Sequence, residues 1–99
     1  IPQKGSHEIK SDGFIYLIEN ELFDGWIKCG MAVNIESRLK GYNGCDPLKR
    51  FKVIAFKAVQ DRRKAERILL DNTKTKAELQ TGEWFRISKD EVLSIFNSI

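Results

Sequence analysis

The chain has 99 residues, which is enough for one domain with a single hydrophobic core and excludes two such cores. A hydrophobic content of 41%, with 10% aromatic residues, excludes an intrinsically disordered chain. The net charge is +3, and no apolar run approaches the about 20 residues of a membrane-spanning helix, so we expect no membrane partner.

The first twelve residues are predicted to be a tail, and residues 13–99 to be a single domain. The chain begins with Ile1 and not with Met, which is typical of an excised domain or a processed product. Gly5, Ser6 and His7 resemble the remnant of an expression vector, so this tail is either flexible or vector-derived.

The next part of the chain predicts a β-hairpin followed by a helix. Residues 14–19 are apolar on both alternating faces, which suits a strand that is covered on both sides, although Tyr16 brings a hydroxyl that needs a partner if buried. Residues 26–32 form a second predicted strand after a glycine-containing loop. Asn34 is a suitable N-cap for a helix over residues 35–42.

The second half predicts one long strand, a long helix, a short extended piece and a last helix. Residues 51–59 are strongly strand-like, and Asp61 caps a helix over residues 62–79. Four residues are expected on the inner side of that helix: Ala65, Ile68, Leu69 and Asn72. Residues 83–86 form the extended piece after Gly82, and Ser88 begins a capping box for the last helix. The order β-β-α-β-α-(β)-α predicts an α+β fold with helices packed on a small sheet.

The two cysteines indicate the redox environment of the chain. Cys29 and Cys45 lack the C-x-x-C spacing of a zinc site. A disulfide between them stays open, but buried free thiols in a reducing compartment are favoured. We therefore expect an intracellular location, cytoplasmic or nucleoid-associated.

Basic charge is gathered in the middle of the chain. Residues 49–76 carry ten Lys or Arg residues against three acidic ones, a net charge of +7. Arg62, Arg63 and Lys64 stand in the first turn of the predicted helix, where the helix dipole disfavours cations unless an anion binds there. These three residues and Lys40 are the predicted DNA-binding set. A solvated helix face, with its small penalty screened by salt, accounts for the same pattern.

Two further charged residues stand at the borders of apolar stripes. Arg38 lies one helical turn before Tyr42, so both share one side of the predicted helix. Glu66 stands where its helix meets the sheet, a position that can hold a carboxylate in a cleft over a buried stem. From position alone, we favour the simpler explanation that both are side chains whose charges reach solvent.

Five features in order resemble the GIY-YIG nuclease superfamily: GFIY at residues 13–16, IKCG at residues 27–30, Arg38, Glu66, and GEWF at residues 82–85. The likeness spans about residues 13–86 and is greatest to a phage and bacterial branch with I-K-x-G and G-E-W-F segments. It implies a three-stranded antiparallel sheet flanked by helices, and a metal-dependent endonuclease that hydrolyses DNA phosphodiester bonds.

The resemblance also implies roles for individual residues. Glu66 would be the single protein ligand to Mg²⁺ or Mn²⁺, which keeps several waters and takes phosphate oxygens as further ligands. Arg38 would hold the scissile phosphate with its planar fork of donors. Tyr16 would orient or deprotonate the attacking water, which explains a phenol in the middle of an apolar strand.

This chain departs from the family pattern at two positions. Lys28 stands where the family carries its second tyrosine, which leaves open whether Tyr16 or Lys28 is the base. Tyr42 stands where many members carry His, and either takes that role or packs. Glu83 is a further candidate acid, for which we favour a structural role because Trp84 and Phe85 follow it.

Two rival functions remain open at this point. One is a catalytically weak DNA-binding or targeting module that kept the fold, and the other is an RNA-binding or protein-interaction domain that uses the basic face. We expect other domains of a longer protein, or a homodimer, to supply specificity. The endonuclease hypothesis predicts that Tyr16, Lys28, Arg38 and Glu66 converge on one concave face.

Overall fold

The computed structural model describes residues 10–99, which form a five-stranded antiparallel sheet and three α-helices. The strands are β1 (Gly13–Asn20), β2 (Trp26–Ala32), β3 (Phe51–Val59), β4 (Leu79–Thr81) and β5 (Trp84–Arg86). The helices are α1 (Ile35–Asn43), α2 (Arg62–Lys76) and α3 (Lys89–Asn97). Residues 1–9 of the predicted tail lie outside the described residues.

The predicted α+β class is confirmed, but the prediction of a three-stranded sheet is wrong. The strand order is β3-β1-β2-β5-β4. Helix α2 ends at Lys76, three residues short of the predicted end, because Ala77 turns the backbone into an extended conformation. The chain then forms β4, turns at Gly82 with a positive φ of 59°, and returns as β5 along β2. The extended piece predicted at residues 83–86 contains β5, whereas β4 was not predicted, because its three residues are too few for an alternating pattern.

The sheet is covered on both sides, which explains why β1 is apolar on both faces. On one side, here called the α1 face, Tyr16, Ile18 and Ala32 pack against α1. On the other side, here called the α2 face, Ile15, Leu17 and neighbouring core residues pack against α2 and α3. The phenol of Tyr16 therefore points to the thinner of the two layers, which a single nine-residue helix covers.

The predicted N-caps are confirmed, whereas part of the predicted inner side of α2 is wrong. The side chains of Asn34, Asp61 and Ser88 each accept a hydrogen bond from the backbone N–H three residues later. The buried residues of α2 are Ala65, Leu69 and Thr73, while Ile68 is 39% exposed and Asn72 is exposed. Hydropathy misses Thr73 because its hydroxyl, which accepts a weak hydrogen bond from the Cys29 thiol, is polar.

The two cysteines are both free, but only one of them is buried as expected. Burial raises the pKa of the Cys29 thiol to about 12, so this group stays protonated and packs as an apolar side chain. Cys45 is exposed, and the prediction of a buried thiol is wrong there. None of the helices in residues 10–99 combines the length and apolarity needed to cross a bilayer.

Candidate active site

The Tyr16 side chain crosses from β1 over the backbone of β2. Its Cα partner on β2 is Gly30, and a methyl group at that position would overlap the Tyr16 hydroxyl. The ring can therefore lie against β2 only because residue 30 has no side chain. The Tyr16 side chain is only 2% exposed, and its hydroxyl oxygen lies 3.2 Å from that of Tyr42 in a hydrogen bond. The buried phenol thus has the partner that burial demands.

The surroundings of Tyr16 favour its neutral form. Burial is the largest cause that raises the pKa of Tyr16, followed by the hydrogen bond with Tyr42, while Arg38 lowers this pKa and Glu83 raises it. The net shift is well above the ordinary tyrosine value. At neutral pH the phenol is therefore a hydrogen-bond donor, and the protein groups around it do not make it a base.

Lys28 lies on the same face and forms an ion pair with Glu83. Lys28 is two residues before Gly30 on β2, so its side chain lies on the α1 face, the face on which Tyr16 covers Gly30. Glu83 stands in the turn between β4 and β5, where its carboxylate accepts a hydrogen bond from the Lys28 ammonium. The preference for a structural Glu83 stays a prediction, and its contact with Lys28 was not expected from the sequence because it forms only when β5 pairs with β2.

Glu66, on α2, is electrostatically influenced by Lys28, Arg38 and Glu83. Its helix packs on the α2 face, but β5 pairs with β2 only as far as Lys28, so Met31 is beyond the paired segment. Burial and then Glu83 raise the pKa of Glu66, while Lys28, Arg38 and the backbone N–H of Met31 lower it. The carboxylate is therefore within electrostatic range of charged groups on the other side of the sheet.

Arg38 is the exposed cationic member of the cluster. It lies on α1 in a groove of ≈ 680 Å³, which Tyr42 and Phe51 also line. Its charge lowers the pKa of both Tyr16 and Glu66. The structure thus brings together five residues that the sequence analysis named, with Glu83 as a sixth: Tyr16, Lys28, Arg38, Tyr42 and Glu66. Their catalytic roles stay predictions.

The predicted DNA-binding set is not one uniform group. Arg62 uses its guanidinium to donate to the backbone carbonyls of Lys10 and Asp12, both at 2.9 Å, and so anchors the segment before β1. Arg63 and Lys64 are exposed, and Arg63 is one helical turn before Glu66, on the same side of α2. Lys40 is exposed in the last turn of α1. Their contact with DNA stays a prediction.

The acidic residues of the cluster can be compared with what a divalent ion requires. Within residues 10–99 there is no group of three or more His, Cys, Asp or Glu side chains that could hold a metal. Mg²⁺ needs fewer protein ligands, because it is commonly held by one or two carboxylates, waters and substrate phosphates. Glu66, with Glu83 near enough to raise its pKa, fits that requirement. The oxygen donors also suit Mn²⁺.

Comparison with known proteins gives one family. A family model described as the T5orf172 domain matches residues 13–99. No curated protein and no solved structure matches the chain. The assignment to the GIY-YIG nuclease superfamily is corrected by this match, which is to a different family. The match is consistent with a nuclease-like or DNA-binding domain, and it covers most of the chain. The chain therefore belongs to the T5orf172 domain family.

Proposed function

We propose that this domain is a metal-dependent endonuclease that hydrolyses phosphodiester bonds of DNA. The observation that supports the proposal is that the charges of Lys28 and Arg38 both act on the Glu66 carboxylate and lower its pKa, although the three residues stand on β2, α1 and α2. A carboxylate influenced by two cations, in a site with the buried phenol of Tyr16 and the half-buried phenol of Tyr42, is a suitable environment for a phosphate and a divalent ion.

In this proposal the charged residues bind the substrate and the ion. Arg38, which is exposed in its groove, donates to the oxygens of the scissile phosphate. Glu66 holds Mg²⁺ or Mn²⁺, with Glu83 as an additional acidic neighbour. When bound, such an ion neutralises charge on the phosphate and lowers the pKa of a water molecule. When no substrate is bound, Lys28 balances the negative charge of Glu83 through their ion pair.

The two phenols position the attacking water. Because burial and hydrogen bonding raise the pKa of Tyr16, it keeps its proton and acts through hydrogen bonds. Tyr42 lines the groove beside Arg38, where the substrate would bind. The hydrogen bond from Tyr16 fixes the Tyr42 hydroxyl, which in turn orients the attacking water. Removal of the Tyr16 hydroxyl would therefore misplace the water and leave the phosphate-binding groups intact.

The proposal includes the partners and location of the domain. DNA is the partner, and the exposed residues Arg63, Lys64 and Lys40 neutralise its backbone. Sequence specificity comes from other domains of a longer protein or from a homodimer, because such contacts carry no sequence information. DNA as substrate implies an intracellular location, cytoplasmic or nucleoid-associated.

The second candidate function is a catalytically weak DNA-binding or targeting module. The ion pair between Lys28 and Glu83 favours it, because the ammonium neutralises one of the two carboxylates and so weakens their joint attraction for a divalent cation. Such a module would keep Arg38 and the exposed basic residues as phosphate contacts. It would bind DNA equally well with and without divalent ions.

Incubation with DNA separates the two candidates. Supercoiled plasmid and single-stranded DNA are incubated with the protein and Mg²⁺ or Mn²⁺, and then with EDTA. The endonuclease proposal expects nicking that EDTA stops and that Glu66→Gln abolishes, with DNA affinity retained or slightly increased. Asp71→Asn removes one exposed negative charge from the same helix and serves as the control with full activity. DNA binding without metal-dependent cleavage would support the module instead.

A further inference from the structure

A second groove lies on the sheet beside the candidate site. It has a volume of ≈ 580 Å³ and is lined by the β1–β2 loop, β2, β4 and β5. The lining residues are Leu22, Phe23, Asp24, Trp26, Thr81 and Trp84. Trp26 and Trp84 are the two tryptophans of the chain, and neither is fully buried. The groove therefore presents a large part of the chain's aromatic surface to its surroundings.

The aromatic rings of this groove are held in place by contact with one another. Phe23 is 43% exposed, and its ring lies 5.5 Å from that of Trp84 at an interplanar angle of 86°. This edge-to-face contact orients both rings and leaves flat apolar surface uncovered. A rigid aromatic surface loses little conformational entropy when a flat ligand stacks on it.

The groove is continuous with the candidate active site. Trp84 is the Cα partner of Lys28, so their side chains lie next to each other on the α1 face. The ring of Phe23 also lies 6.3 Å from that of Phe51, which in turn packs 5.2 Å from the ring of Tyr42. A row of aromatic side chains thus runs from the groove to the phenol pair of the site.

We propose that this groove stacks an unpaired base of the DNA strand next to the phosphate bound at the candidate site. The inference rests on the proposed function, because it takes DNA as the ligand. The described lining of the groove contains no Lys or Arg, so it suits a base and not a phosphate. Lys28 and Arg38, at the candidate site, supply the positive charge for the backbone. This division between stacking and charge is the one that single-stranded nucleic acids require.

The base must be unpaired for a geometric reason. In a duplex both faces of each base are covered by its neighbours, so a protein ring can stack on a base only in a single strand, an end or a flipped position. Asp24 lies in the same groove and can accept a hydrogen bond from an N–H group of a stacked base, such as N3–H of thymine. We therefore expect DNA with single-stranded segments to bind more tightly than a blunt duplex.

Tryptophan fluorescence measures this binding directly, because both tryptophans line the groove. The protein is titrated in EDTA, which prevents metal-dependent cleavage, with a short oligothymidylate, an abasic oligomer with the same number of phosphates, and a blunt duplex. Oligothymidylate is expected to change the fluorescence strongly, and the abasic oligomer only slightly. Equal changes with both single-stranded oligomers would overturn the inference, since only the backbone would then be bound.

A pair of alanine variants locates the base. Phe23→Ala should weaken binding of the oligothymidylate by about fivefold or more, since stacking contributes about 1–3 kcal/mol per base. Phe56→Ala removes the same side chain from β3, at the opposite edge of the sheet, where it is 59% exposed, and should leave the affinity unchanged. Equal affinities of both variants for the oligothymidylate would contradict the inference and would favour an apolar protein partner as the ligand of this groove.

The outcome separates this inference from the proposed endonuclease function. Base-dependent fluorescence changes without cleavage of any DNA would support the stacking groove and refute the endonuclease. Metal-dependent cleavage without base-dependent changes would support the endonuclease and refute the stacking groove. The comparison of normal and abasic oligomers uses the unaltered protein, so it holds even if Phe23→Ala disturbs the fold.

Discussion

The hydroxyl oxygens of Tyr16 and Tyr42 lie 3.2 Å apart, although the two residues are 26 positions apart in the chain. The hydrogen bond joins β1, which lies between β3 and β2 in the sheet, to α1, the helix that covers this face of the sheet. It is among the causes that raise the pKa of Tyr16, second to burial. Packing and protonation state therefore depend on the same contact.

Tyr16→Phe tests whether this phenol serves the reaction. We expect the free energy of unfolding to change by about 1 kcal/mol or less, because only a hydroxyl is lost and the half-buried Tyr42 can bond to water instead. Cleavage should fall by about 100-fold or more if the hydroxyl positions the water. Urea unfolding and plasmid nicking measure the two effects. Full activity of the variant would show that the phenol is structural and that other groups position the attacking water.

Gly30→Ala tests the close approach of Tyr16 to β2. The added methyl group overlaps the Tyr16 hydroxyl and ring, so we expect a loss of about 1–3 kcal/mol of stability from overpacking. Gly41→Ala is the matched control, because a methyl group there would meet no atom within 4 Å apart from its chain neighbours and the backbone of its own helix. Since Gly41 is inside α1, the control should raise stability by up to about 1 kcal/mol. Equal unfolding midpoints for the two variants would contradict the described packing.

Because the pKa of Glu66 is raised, we expect Glu66→Gln to increase the stability of the fold at neutral pH while it abolishes cleavage. A carboxyl group whose pKa is raised in the folded state contributes stability at low pH, and that contribution is lost as the pH rises through the folded pKa. Glu66→Gln should therefore stabilise the fold at pH 7, and this gain should shrink as the pH falls. Urea unfolding of both proteins across pH 4 to 8 measures it. A variant less stable than the original at pH 7 would show that ionised Glu66 is stabilised by its neighbours.

Cleavage should depend on pH through the same group, because only the ionised carboxylate attracts a divalent ion. The rate is expected to fall as the pH is lowered, with a midpoint above the ordinary pKa of glutamate. Higher metal concentration should move this midpoint to lower pH, because the ion and the proton compete for one carboxylate. A midpoint that does not respond to the metal would assign the titration to another group.

Neutralisation of the basic residues at the start of α2 should separate a DNA-binding role of Arg63 from a structural role of Arg62. Arg63→Gln combined with Lys64→Gln should weaken DNA binding regardless of sequence, and reduce the slope of log affinity against log salt by about 2. Arg62→Gln should instead destabilise the fold, because its guanidinium donates to two backbone carbonyls before β1. Binding isotherms at several salt concentrations measure the first effect, and urea unfolding the second. An unchanged salt slope for the double variant would remove these two residues from the DNA contact.

Local sequence was sufficient for the elements whose signals are contained within a few neighbouring residues. Asn34, Asp61 and Ser88 begin their helices as predicted, because an N-cap needs only a side-chain oxygen and an N–H three residues later. The strands β2 and β3 have the predicted bounds, because apolar and β-branched runs of seven and nine residues are long enough to be recognised. The α+β class followed from the order of these elements.

Only the tertiary structure decided the existence of β4, the pairing of β5 and the membership of the site. Strands β4 and β5 exist because β5 finds a free edge on β2, and the same pairing brings Glu83 to Lys28. Glu66 comes within electrostatic range of Arg38 only in the folded protein, because α2 and α1 are separate elements that pack on the same sheet. Hydropathy and capping describe interactions between residues a few positions apart, whereas these contacts join residues that are distant in the chain. The sequence therefore named most of the charged residues of the cluster, but the packing of the sheet decided which of them meet.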